Sequence, residues 1–107
     1  MITSQMVLNG INKGVVKLID SPYGNEPACR IGGRWFYYAG ESNISSAEYV
    51  SKTPKAEIAE RIAGALEGIR DELGRPGDYC YCEDILAQAG IRDPARDAGL
   101  KTGNQQT

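Results

Sequence analysis

Histidine is absent from the 107 residues. The side chain that most often serves as a general base or binds a metal is therefore missing, which excludes histidine-based catalytic triads and most zinc sites. Catalysis is left to carboxylates, tyrosine, lysine or thiols. Long apolar runs are missing too: no stretch approaches the roughly 18 residues of a membrane span. The opening MITSQMVLNG has neither the basic nor the apolar region of a secretory signal. The chain is expected in a cytoplasm and away from membranes. Excess charge of either sign is also lacking, since 12 basic and 14 acidic residues leave a net charge of −2. The broad electropositive surface behind nonspecific nucleic-acid binding is not there. Cysteine is sparse and odd in number: Cys29, Cys80 and Cys82 fit reduced thiols better than a secreted disulfide framework.

The length suits one hydrophobic core. That core is expected over residues 1–91, followed by a polar tail over 92–107 with too little apolar surface to offset its ordering entropy; Asp93-Pro94 would cap at most one helical turn there. The first segment, Thr3 to Asn12, has two readings. One is a short helix capped at Thr3 or Ser4 and stopped at Gly14; the other is a hairpin turning at Asn9-Gly10. Val15 to Ile19 reads as a strand entering the turn-forming cluster Asp20-Ser21-Pro22-Tyr23-Gly24-Asn25. Ala28–Ile31 and Arg34–Tyr38 are two strands joined by Gly32-Gly33. Ser45-Ser46-Ala47-Glu48 matches a capping box for a helix to about Lys52. Thr53-Pro54 opens a helix of about twenty residues that Gly74 and Pro76 stop. Its apolar positions Ile58, Ile62, Leu66, Ile69 and Leu73 form one stripe. After a break at Gly77-Asp78, a last helix is expected from about Tyr79 to Ala89, closed at Gly90 with Ile91 touching Leu86.

A two-residue turn at Gly32-Gly33 sets Ile31 opposite Arg34, Arg30 opposite Trp35, Cys29 opposite Phe36 and Ala28 opposite Tyr37. Side chains then sort by face. Cys29, Ile31, Phe36 and Tyr38 join Val16 and Leu18 beneath the long helix, and Lys17, Arg30, Trp35 and Tyr37 share the other face with Val15 and Ile19. Trp, Tyr and Arg are the types enriched at binding hot spots, and Arg30 has the reach to stack on Trp35. The competing expectation is that the N-terminal segment folds over this face and buries it. On the long helix Glu57, Glu60, Glu67 and Asp71 form an acidic ridge opposite the apolar stripe, with Arg61 and Arg70 nearer its borders. It is a second candidate contact surface, although a solvated helix face has the same pattern.

Other constellations are weaker. Cys80-Tyr81-Cys82 with Cys29 supplies too few ligands for a structural zinc site, and its spacing differs from that of thiol-exchange motifs. Gly32-Gly33-Arg34 joins two strands, whereas phosphate-binding loops lead into a helix. Glu41, Glu48 and Glu83 would need to converge for acid–base work, and sequence does not bring them together. No catalytic residue, metal or cofactor is assigned.

The expected fold is α+β: a three-stranded antiparallel meander with one long amphipathic helix packed on one face and shorter flanking helices. The expected function is non-catalytic binding of a protein partner, through the Trp35 and Tyr37 face or the acidic ridge, by a monomer or homodimer. The alternatives are a single-stranded nucleic-acid binder using the same aromatic and basic face, against which the acidic balance argues, and a small-ligand binder with a pocket between sheet and helices. In size and architecture such a chain resembles the compact inhibitors carried by phages and mobile elements, anti-CRISPR proteins among them. That resemblance is architectural and rests on no diagnostic motif.

Overall fold

The computed structural model describes residues 1–71 and 76–91. Seven elements follow in order: α1 (Ser4–Asn12), β1 (Val16–Asp20), β2 (Pro27–Ile31), β3 (Arg34–Tyr37), α2 (Ser46–Lys52), α3 (Lys55–Asp71) and α4 (Pro76–Ile91). The strands form one antiparallel sheet in the order β1-β2-β3, and the α+β meander expected from the sequence is the fold.

The β2–β3 register is the one the double glycine dictates, pairing Ile31 with Arg34, Arg30 with Trp35, Cys29 with Phe36 and Ala28 with Tyr37. Positive φ falls on Gly32, at 59°, and not on Gly33, the pattern of a type II′ turn with glycine first. Space is as restrictive as φ there. A Cβ on Gly32 would press on the Tyr81 hydroxyl and lie 2.6 Å from Ile85 Cδ1, whereas one on Gly33 would come no closer than 3.9 Å to Tyr81. The turn is also tied to α4: the Gly33 amide donates to Tyr81 Oη at 3.1 Å, and Arg34 Nε meets Asp78 Oδ1 at 2.7 Å. Arg34 stacks its guanidinium 4.1 Å above the Tyr81 ring.

Of the two readings for the N-terminal segment, the helix is the one that forms. Thr3 Oγ1 accepts the Met6 amide at 3.2 Å, and Gly14 at φ 79° ends the run. Asn9-Gly10 makes no hairpin turn because Gly10 serves a packing purpose. It is buried, and an added Cβ would lie 2.8 Å from Val16 Cγ2 and 2.9 Å from Leu86 Cδ2, so the α1 backbone rests directly on the side chains of β1 and α4. At α2 the Ser45 hydroxyl accepts the Glu48 amide at 3.1 Å. The Glu48 carboxylate sits 3.9 Å from Lys52 Nζ, completing an i,i+4 pair.

The α3 stripe is the centre of the core: Ile58, Ile62 and Leu66 are fully buried and Ile69 partly so. They pack with Val7 of α1, Leu86 of α4 and the sheet residues Val16, Cys29, Ile31 and Phe36. The helix begins at Lys55, one residue past Pro54, and its expected far end, with Leu73 and Gly74, lies outside the described residues. The polar tail over 92–107 also lies outside them.

The last helix departs from expectation at both ends. It starts at Pro76 and runs through Gly77 and Asp78, which were read as a break, and it continues to Ile91 without closing at Gly90. The physical reason at the start is that proline fits the first helical turn, where its missing amide costs nothing, and Asp78 complements the exposed amides there. The early start matters, because it brings Asp78 to Arg34 and Tyr79 into the core. The Tyr79 hydroxyl accepts the Ile2 amide at 2.8 Å and donates to Glu67 Oε2 at 2.7 Å, joining the N-terminal segment, α3 and α4.

Two stability outcomes follow. Gly32→Ala lowers unfolding free energy by about 2–3 kcal/mol, because positive φ and crowding act together, whereas Gly33→Ala is neutral or slightly stabilising; urea titration of both variants checks the contrast. Tyr79→Phe leaves the buried Ile2 amide without an acceptor and costs about 1–3 kcal/mol in the same titration.

Candidate functional site

On the sheet face away from the helices, cross-strand pairing lays out two rows. Lys17, Arg30 and Trp35 make one; Ile19, Ala28 and Tyr37 make the other. The α1 helix does not cover this face. Its apolar side chains Met6, Val7, Leu8 and Ile11 belong to the core on the opposite side, so the burial of the outer face by the N-terminal segment does not occur.

Trp35 stands half-buried between two tyrosines. Its ring meets Tyr37 edge-on at 4.9 Å and 86°, and Tyr23 at 5.7 Å and 60°. Such contacts each contribute about 0.5–1.5 kcal/mol beyond area burial, so the three rings hold one another as a shelf. Ser21, buried at the end of β1, fixes the arrangement: its Oγ shares a 2.7 Å hydrogen bond with Tyr37 Oη and accepts the Tyr23 amide at 3.0 Å. Even so, Tyr23 is 83% and Tyr37 39% exposed. Tyr23 and Ser21 were not singled out from the sequence, where they read only as turn formers. The available signal was a tyrosine in the loop beside a strand bearing Trp and Tyr on one face.

Arg30 does not stack on Trp35. Rings occupy that indole's flanks, and Arg30 Nε points instead to the Gly32 carbonyl at 3.4 Å. Arginines meet rings elsewhere, Arg34 at Tyr81 and, at a longer 5.8 Å, Arg70 at Tyr79. Lys17 and Arg30 are both exposed and directly opposite across β1 and β2, a like-charge pairing that costs the sheet a few tenths of a kcal/mol or more. Among the described residues neither has a carboxylate partner, while Arg34, Lys52, Arg61 and Arg70 each do.

The acidic ridge is largely engaged within the chain. Glu57 Oε2 meets Arg61 at 3.2 Å, and Glu67 receives the Tyr79 hydroxyl through one oxygen and Arg70 at 3.2 Å through the other. Glu60 stands exposed, and the Asp71 side chain lies outside the described ones. A separate open groove of about 620 Å³ runs between β1 and α2, lined by Leu18, Ile19, Asp20, Ser46, Ala47 and Val50. Asp20 Oδ1 at its edge accepts the Ser46 amide at 2.6 Å.

The thiols divide by environment. Cys29 and Cys82 are buried in the core and Cys80 is exposed. Burial pushes Cys29 up to about 12, with neighbouring Cys82 adding to it and the Phe36 amide opposing. Burial likewise raises Cys82 to about 11, Arg34 opposing and Asp78 adding. Among the described residues no three cysteine or carboxylate side chains gather as metal ligands, and no helix is long and apolar enough to cross a membrane. Glu48 pairs with Lys52 on α2, and Glu83 on α4 with the Met1 amine. Comparison of the chain with family models, curated proteins and solved structures finds no match.

Both buried thiols are acids whose folded values lie above the ordinary value of 9.0. The stability that depends on their neutral form is present below pH 9 and is lost as pH rises toward 11–12. The midpoint urea concentration is expected to hold up to pH 9 and fall beyond it. At pH 8 a maleimide labels Cys80 at least about 100-fold faster than Cys29 or Cys82, by mass spectrometry of digested protein.

Proposed function

We propose that the chain is a non-catalytic binding module whose Tyr23–Trp35–Tyr37 shelf, flanked by Lys17 and Arg30, docks a partner protein. The observation that carries this reading is the shelf: three mutually braced rings left partly exposed, beside two cations with no carboxylate partner among the described residues. Braced aromatic side chains lose little entropy on binding, and a partner carboxylate set between Lys17 and Arg30 would relieve their repulsion. The complementary surface is therefore apolar at its centre with acidic groups to one side. The acidic ridge supports partner binding less, because Glu57 and Glu67 already have cations of the chain's own.

On this reading the chain is an inhibitor of the kind that phages and mobile elements carry, anti-CRISPR proteins included, acting by occupying a partner's surface. Size, architecture and the shelf are its support. A single strand of nucleic acid stacked on the same rings is a separate outcome that salt dependence distinguishes.

The test is capture from extract of the native cell or its host with wild-type protein, Trp35→Ala and the double variant Glu60→Lys/Glu67→Lys. Trp35→Ala is expected to weaken binding about 30-fold or more, corresponding to about 2 kcal/mol, while keeping a wild-type circular dichroism spectrum. Lys17→Glu/Arg30→Glu weakens it further, and the α3 variant has little effect. Capture of a nucleic acid with steep loss between 50 and 200 mM salt on the order of 10³-fold, or capture lost only in the α3 variant, overturns the assignment.

A further inference from the structure

We propose that two copies of this chain associate by antiparallel pairing of their β3 strands, joining two three-stranded sheets into one continuous sheet about a two-fold axis through Phe36. The inference does not rest on the shelf being a partner site and is tested without any partner.

The hairpin supplies the first observation. With Ile31 and Arg34 flanking a two-residue turn, hydrogen-bonded and non-hydrogen-bonded pairs alternate away from it. Cys29 and Phe36 exchange bonds, whereas Trp35 and Tyr37 sit in non-bonded pairs, so their N–H and C=O groups point out of the sheet edge. Among the described residues nothing donates to or accepts from these groups.

The two edges of the sheet are treated differently. Along β1, the Val15 amide bonds to the Gly10 carbonyl of α1 at 2.8 Å, Asp20 accepts the first amide of α2, and Lys17 adds an exposed charge. Charges and covering helices are the usual guards of an edge strand. β3 packs on β2 and α3, and has neither proline nor lysine. Its one charged side chain, Arg34, is held by Asp78 and Tyr81. An unguarded edge reading Arg-Trp-Phe-Tyr has high strand propensity and offers only what another strand can satisfy.

The occupant is a second copy because the edge complements itself. A two-fold axis at Phe36 sets Trp35 opposite Tyr37 of the other copy and Tyr37 opposite the other Trp35, so each pair exchanges both backbone bonds. The same register brings indole and phenol rings together on the outer face, a favourable cross-strand combination. The row Lys17-Arg30-Trp35 then continues into Tyr37-Ala28-Ile19 of the second copy, so only rings meet at the seam and the cations of the two chains stay apart.

A short edge buries less than the roughly 1,200 Å² of a standard interface, so association is weak, with a dissociation constant on the order of 10–500 µM. Sedimentation velocity of the purified chain from about 1 µM to about 1 mM is expected to pass from monomer to dimer across that range. Amide exchange read by NMR at both ends of the series is expected to slow at least about tenfold at Trp35 and Tyr37 on concentration, and to stay unchanged at Lys17 and Asp20. A chain that stays monomeric throughout, or a dimer whose Trp35 and Tyr37 amides exchange as fast as in the monomer, overturns the proposal. The exchange measurement needs no variant, so it does not depend on any mutant folding.

Discussion

A reversal completed in two residues fixes which of every adjacent pair of side chains faces the helices, and the rest of the molecule follows from that parity at Gly32-Gly33. A slip of one residue between β2 and β3 would put Phe36 on the face opposite Cys29 and Ile31 and bring Trp35 beneath α3. The molecule fixes the turn twice over. Glycine at φ 59° supplies the geometry. The Gly33–Tyr81 hydrogen bond and the Arg34–Asp78 ion pair then fasten the tip to α4. Because α4 is itself anchored through Tyr79 to α3 and the N-terminal segment, the hairpin register and the helical layer constrain each other.

The asymmetry of the sheet follows. Its inner face meets three helices at close range, with α1 approaching so near at Gly10 that no side chain fits. This layer takes up Ile31, Ile58, Ile62, Leu66, Leu86 and both buried thiols. On the outer face, order comes from short-range contacts among the described residues: a serine that joins two tyrosines, and a tryptophan between them. A shelf built this way is held by its own contacts, with Tyr23 and Tyr37 still exposed.

Much of this was legible in the residues, for reasons that can be named. The double glycine between strand-like runs, the four-four-three-four spacing of the α3 stripe and the Ser45–Glu48 cap are local signals whose physics does not depend on the rest of the chain. What was not legible depended on contacts distant in sequence. Asn9-Gly10 favours a turn locally, and only the approach of Val16 and Leu86 makes Gly10 a helical packing residue. Pro76 is equally good after one helix and within the first turn of the next; Asp78 pairing with Arg34, 44 positions away (78 − 34), goes with the second role. Tyr23 joins the shelf because Ser21 holds its amide, a relation hidden inside a string of turn formers. Arg30 was given a stacking role by proximity in the register, and the tyrosines had already taken the place.

Charge completes the contrast between the two candidate surfaces. A helix ridge of alternating acids and arginines satisfies itself at i,i+3 and i,i+4, as Glu57–Arg61 and Glu67–Arg70 do. Strands give no such option along their own length, because neighbours on one face are two residues apart and the cross-strand partner is set by register. Lys17 and Arg30 are held opposite each other by that register, with glycine, isoleucine, alanine or rings around them and no acid on their rows. Their repulsion is small beside the stability of the sheet, so the fold tolerates it. In the proposed docking role that repulsion would favour an external carboxylate, next to three rings that already brace one another. On the docking reading proposed above, the sheet face gains more from a partner than Glu57 and Glu67 of the ridge do, because those two already have cations of their own.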